Sequence, residues 1–102
     1  MIIVIFEFEP KELAQSRYFE LAQLLLDEVK QIDGFISVER FQSVADSGRF
    51  VSISTWRDRQ AVDNWRHHLM HQTAQEEGKA SIFDDYRIRV AEVFKDYGLN
   101  DN

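Results

Sequence analysis

Phe35-Ile36-Ser37-Val38-Glu39-Arg40-Phe41-Gln42-Ser43-Val44, Ala45-Asp46-Ser47-Gly48 and Arg49-Phe50-Val51-Ser52-Ile53-Ser54-Thr55-Trp56 run on without a break, and this stretch decides the fold. Two runs rich in β-branched and aromatic residues flank a turn of Asp, Ser and Gly, which is the chemistry of a β-hairpin. Working outward, each arm meets a helix. Upstream, Tyr18, Leu21, Ala22, Leu25, Val29 and Ile32 recur at three- and four-residue spacings. Lys11, Gln15, Glu20, Gln23, Asp27 and Lys30 fall between them, so an amphipathic helix is predicted over Leu13 to Ile32. Asp33-Gly34 stops it, with the glycine as a left-handed C-cap. Downstream, Asp58 caps a predicted helix from Arg59 to Glu77 that ends at Gly78. Outermost lie two further strands, residues 2–9 closed by the only proline, Pro10, and Tyr86 to Phe94.

The order β-α-β-β-α-β, with short connections and right-handed crossovers, predicts a ferredoxin-like α+β fold. Its sheet has four antiparallel strands and both helices lie on one face. The 102 residues suit one domain spanning 1–102 around one core. Ile36, Val38, Val51, Ile53 and Val93 are expected on the other face. An apolar patch of that kind predicts a homodimer packed sheet against sheet. Arg87 and Arg89 share a face of the last strand and are expected to pair with Glu39 or Glu7.

Net charge of −6, pI near 4.9 and the lack of any Lys or Arg run exclude nucleic acid, whose phosphates need a basic patch. The absence of cysteine removes disulfides and thiolate chemistry. Met1 to Phe6 is apolar but lacks a basic leader, a cleavage site and the length to span a bilayer. A soluble cytoplasmic protein with no membrane contact is expected.

The second helix carries the chemistry. With Trp65 at zero and about 100° per residue, Ala61, Val62, Leu69 and Thr73 fall on its side. His68 at about −60° and Gln72 at about −20° fall on that same arc, with Gln75 and His71 along one rim. Buried polar groups need partners. They find them either in structural hydrogen bonds or in a cavity between helices and sheet, lined by Trp65, His68, Gln72 and Tyr18 of the first helix. His67 and His71 stand one turn apart with His68 beside them, but no third ligand is evident, so no metal site is expected. Glu76-Glu77 and Asp84-Asp85 are read as solvated doublets.

Gly34-Phe35-Ile36-Ser37, Glu39-Arg40-Phe41, the Ser-rich strand ending in Trp56, Ala61…Trp65-Arg66, His71…Gln75…Gly78, Asp85-Tyr86 and Tyr97-Gly98 together resemble the antibiotic biosynthesis monooxygenase domain family. The resemblance covers nearly the whole chain. It implies a dimeric α+β barrel with a pocket between sheet and helices in each subunit. Members of the family oxidise polyketide quinols with O₂ and neither metal nor flavin, or degrade haem; related barrels isomerise lactones, and many members have no assigned activity. The implied function is cofactor-independent monooxygenation of a small aromatic or quinol-like substrate. Trp65 would stack on the substrate and His68 or His71 would act as base. Gln72, Gln75, Arg66 and Tyr86 would orient the substrate, with Tyr18 in the wall. The alternatives are a non-catalytic dimer for small-ligand binding or stress response, and a haem-degrading monooxygenase. The haem branch uses an Asn on the first strand, a Trp on the second helix and a His further along it. Trp65 matches, but Glu7 and its neighbours replace the Asn and Gln75 takes the His position. Haem is therefore not expected, and no cofactor is.

Overall fold

A computed structural model describes residues 1–73 and 82–101, without the side chains of Met70 to Thr73. Strands β1 (Ile2–Pro10), β2 (Phe35–Gln42), β3 (Phe50–Trp56) and β4 (Phe83–Glu92) form one antiparallel sheet in the order β2-β3-β1-β4. A 3-10 turn, Glu12–Ala14, leads into helix α1 (Gln15–Val29), and helix α2 is described over Arg59–Thr73. This is the ferredoxin-like arrangement expected. Glu77 and Gly78, where the second helix was expected to end, lie outside the described residues.

Because side chains alternate along a strand, the register sorts both faces. Four cross-strand rows face the helices: Gln42–Phe50–Phe8–Tyr86, Arg40–Ser52–Phe6–Ile88, Val38–Ser54–Val4–Val90 and Phe35–Trp56–Ile2–Glu92. The other face carries Ile3, Ile5, Val51, Ile53 and Phe41, with Glu7, Glu39, Arg87 and Arg89. Arg89 donates to Glu7 at 3.2 Å, as the shared face predicted.

Several expectations change. Val51 and Ile53 do lie on the open face, but Val38 faces the helices. A register shift between Phe35 and Ser37 inserts Ile36 as an extra residue, and one such insertion exchanges the faces of the residues after it. Val93 lies beyond β4, which runs three residues earlier at its start than expected and takes in Asp84 and Asp85. The first helix ends at Val29, and single turns carry the chain through Ile32. Gly34 is therefore not its C-cap. Its φ of +94° serves a different need, since a Cβ there would lie 2.7 Å from that of Ala61.

Two clusters hold the helices down, one at each end of the sheet. Val29 of α1 and Ala61 of α2 bury with Ile2 and Trp56, and Val4, Phe35 and Trp65 pack against them. At the other end Tyr18 meets Phe8 and Phe83, with ring centroids 4.6 and 5.4 Å apart, and Phe19 meets Phe50 at 5.3 Å. Asp58 caps α2 as predicted, its carboxylate accepting the Ala61 N–H at 2.9 Å. Arg59 reaches Glu92 at 3.3 Å and ties the start of α2 to the end of β4.

Candidate functional site

The helix-facing rows are bulky at their ends and lower in the middle of β3, and we read the space between helices and sheet there as a groove. On β3 the bulky Phe50 and Trp56 bracket Ser52 and Ser54, and Ser54 accepts the Trp56 indole N–H at 2.9 Å. Next to them run Val4 and Phe6 of β1, then Ile88 and Val90 of β4. Tyr86, Ile88 and Val90 remain 59%, 55% and 58% exposed although they lie on the helix side. An apolar row of this exposure beside the core is an open floor on which a ligand can lie.

One end of the groove carries the indole and the imidazole. Trp65 and His68 stack at 5.4 Å between centroids and 19° between planes, the i,i+3 geometry of one helix face. His68 Nε2 lies 3.8 Å from Glu28 Oε2 of α1, with both side chains somewhat over a third exposed. That is an ion-pair distance, longer than a hydrogen bond. An imidazole is the side chain suited to take a proton near neutral pH. Arg66 is exposed on the next position round the helix. His71 and Gln72 lie on α2, but their side chains are outside the described residues, as is the whole of Gln75.

The other end is phenolic. Tyr18 is packed among Phe8, Phe19 and Phe83, while Tyr86 faces Phe6 at 6.0 Å and Phe83 at 5.8 Å. Burial pushes the Tyr18 phenol up, and the Arg40 guanidinium facing its hydroxyl pulls back only in part. Tyr18 and Trp65 were expected to line one cavity, and they sit in different clusters. Tyr18 stands over Phe8, whereas Trp65 packs with Val29 and Ile2. The ten steps from Tyr18 to Glu28 span about 15 Å of helix. Glu7 faces away from the helices toward Arg89, so it cannot take the role of a groove residue.

Glu28, Arg40, Ser52 and Ser54 belong to the groove and were not foreseen. The Ser52–Ser54 alternation was visible as a signal of small side chains in a strand. Arg40 was hidden by the insertion at Ile36, and no local pattern marks Glu28. A shallow open depression on the outer side of α1, where Arg17 and Glu20 already pair at 3.5 Å, lies away from Trp65 and His68. Among the described residues no three His, Asp or Glu side chains converge on a metal position. No helix among them is long and apolar enough to cross a membrane.

A sequence profile of the antibiotic biosynthesis monooxygenase family matches residues 1–77, three quarters of the chain, and covers β1 to α2 with the Trp65–His68 stack. The chain belongs to the antibiotic biosynthesis monooxygenase family. It is 38% identical over 93 residues to the jasmonate monooxygenase of Pyricularia oryzae, covering 91% of this chain and 43% of that protein. The chain thus spans less than half the length of that relative. Two solved structures share the fold at lower identity. SnoaB from Streptomyces nogalater, described as a cofactor-independent oxygenase, superposes with TM-score 0.74 and 12% identity over 93% of this chain and 94% of its own. MhuD, solved with two manganese protoporphyrin IX per active site, gives 0.75 and 15% over 96% and 99%.

Proposed function

We propose that this member of the family is a small-molecule monooxygenase that oxidises an aromatic or quinol-like substrate in the groove between helices and sheet, without a tightly bound cofactor. The observation that carries the reading is the Trp65–His68 stack, an indole and an imidazole side by side on the face of α2 that packs toward the sheet. The jasmonate monooxygenase and the cofactor-independent oxygenase among the similar proteins support it.

In this chemistry the substrate itself reduces O₂. His68 takes a proton from the substrate, aided by Glu28 across α1, and the resulting anion passes an electron to O₂. One oxygen atom bonds to the reacting carbon, which loses two hydrogens, and the other leaves as water. The protein supplies a face for the ring at Trp65, a base and a site from which bulk water is displaced. His71 is the other base in this reading, with Gln72, Gln75, Arg66 and Tyr86 orienting groups. A homodimer packed through Ile3, Ile5, Val51, Ile53 and Phe41 completes the proposal, for these apolar side chains share the open face, half-buried or, for Phe41, exposed.

Haem is disfavoured in this reading, because Gln75 stands where the family's haem-degrading branch has its axial His, and the His68 Nε2 lies 3.8 Å from the Glu28 carboxylate. The reading is tested by oxygen consumption with a panel of quinols, comparing the wild type with His68→Asn and His71→Asn. Loss of turnover with binding kept, in either variant, supports a catalyst. Substrates that bind with no O₂ uptake in the wild type move the protein to the ligand-binding alternative. A saturable one-to-one Soret shift with haemin that disappears in a His variant, with the band bleached by ascorbate and O₂, moves it to the haem-degrading one.

A further inference from the structure

We propose that the Tyr18–Arg40 end of the groove is an anion site, and that the groove's ligand is an apolar molecule carrying a carboxylate. The inference rests on the reading of the groove as the substrate site and names the class of molecule that enters it. Arg40 lies on the helix-facing side in one row with Ser52, Phe6 and Ile88, an exposed cation on the edge strand beside an otherwise apolar and hydroxylic surface. Its guanidinium carbon stands 5.2 Å from the Phe19 ring centroid, and the group faces the Tyr18 hydroxyl. Packing against an aromatic ring occupies the π face of a guanidinium and leaves its in-plane N–H groups for a carboxylate.

Five of the seven other arginines differ from Arg40, whereas Arg66 and Arg87, like it, hold no carboxylate among the described residues. Arg17, Arg49, Arg57, Arg59 and Arg89 each hold a carboxylate, at 2.9 to 3.5 Å. Among the described residues none pairs with Arg40, in a chain of net charge −6. Acidic side chains are abundant, yet the cation on the groove side is held by two aromatic residues. Tyr18 remains protonated at neutral pH, so its hydroxyl is a second donor beside the guanidinium. Two converging donors at an aromatic end, with Phe6 and Ile88 continuing the floor, fit a carboxylate head and an apolar body extending toward Trp65 and His68.

The test is isothermal titration calorimetry of the full chain under argon with decanoate and its neutral counterpart decanol. Decanoate is expected to bind saturably and about tenfold or more tighter than decanol, the range of a hydrogen bond to a charged partner. Arg40→Gln should make the two equal by weakening decanoate alone, and Arg40→Lys should recover part of the difference. Should Arg40→Gln fail to fold, as read by circular dichroism, Tyr18→Phe serves, with a smaller loss for decanoate and none for decanol. Equal affinities in the wild type, no binding of decanoate, or a preference that survives both Arg40→Gln and Tyr18→Phe would overturn the proposal. Binding is read without turnover, so its failure is separable from that of the monooxygenase reading. Decanoate held through Arg40 with no quinol oxidised keeps the anion site, and quinol oxidation without decanoate binding removes it alone.

Discussion

Replacing Gly34 by Ala tests how the close approach of a turn to α2 holds the groove in shape. Gly34 adopts a φ of +94°, and a Cβ would lie 2.7 Å from that of Ala61 and 3.4 Å from the guanidinium carbon of Arg57. Two costs add. Holding an L residue in the left-handed region costs about 1–2 kcal/mol. Crowding a fully buried helix residue costs about 1–3 kcal/mol, since Ala61 cannot shift without moving the first turn of α2. The expected loss is about 2–5 kcal/mol, or at least about 8 °C in Tm for a chain of this length. Urea unfolding followed by circular dichroism measures it. The double variant Gly34→Ala/Ala61→Gly separates the terms, because it removes the clash and keeps the backbone cost. Ala61→Gly alone costs about 1 kcal/mol, so a double variant more stable than the sum of the singles by about 1 kcal/mol or more identifies the clash. A loss below about 1 kcal/mol in Gly34→Ala, or strict additivity, refutes the reasoning. Ala61 stands four residues before Trp65, so the near-ultraviolet dichroism of the tryptophans should change in the single variant and recover in the double.

Phe8→Ala should cost about 3–5 kcal/mol in the same unfolding assay, because Phe8 is 1% exposed and touches the rings of Phe6, Tyr18, Phe50 and Phe83. Asp58→Ala should destabilise and Asp58→Asn should be milder, since Asn still accepts the Ala61 N–H, with thermal melts to compare them. Asp58 sits below the usual carboxylate range because Arg57 and then that N–H stabilise its charged form. Its stabilisation is thus full above the ordinary value of 3.8 and lost as pH falls through the lowered one, an acid-limb dependence that Asp58→Asn should lack. The Tyr18 phenol is raised mainly by burial, so its contribution is full below the ordinary value of 10.0 and lost as pH rises through the raised one. Absorbance at the phenolate band should show one tyrosine titrating late, and Tyr18→Phe should remove it.

The element order was legible because each element announces itself locally. The hairpin needed only its turn residues, α1 its spacing of Tyr18 to Val29, and α2 its Asp58 cap. The face of β2 was not legible, because an inserted residue leaves no mark in a run of strand formers, and everything after Ile36 changed sides with it. That single insertion put Arg40 on the groove side and Val38 with it. Within α2 the arc through Ala61, Val62, Trp65, His68 and Leu69 emerged as read, since helical periodicity is a property of one element. How Trp65 and Tyr18 sit relative to each other was not legible, for the opposite reason. It required the relative placement of two helices, and the ends of α1 are tied to different clusters.

That separation bears on how such a groove works. The proposed base and stacking surface, His68 and Trp65, are held by α2 and by the last turn of α1 through Glu28. The phenol and guanidinium, Tyr18 and Arg40, are held by the first turn of α1 and by β2. Between them the floor is Ser52, Ser54, Phe6 and Ile88, side chains on a continuous sheet whose spacing is fixed by its backbone hydrogen bonds. With the anchor at one end and the base at the other, the distance from anchor to reacting atom is set by the rise of a helix and the pitch of a sheet, which a ligand cannot easily alter. Substitutions at the two ends should act independently, because residues this far apart without shared partners rarely couple. Arg40 variants would change which molecules enter, and His68 variants what happens to them, so a combined His68→Asn/Arg40→Gln chain should show the two losses side by side and not one masking the other.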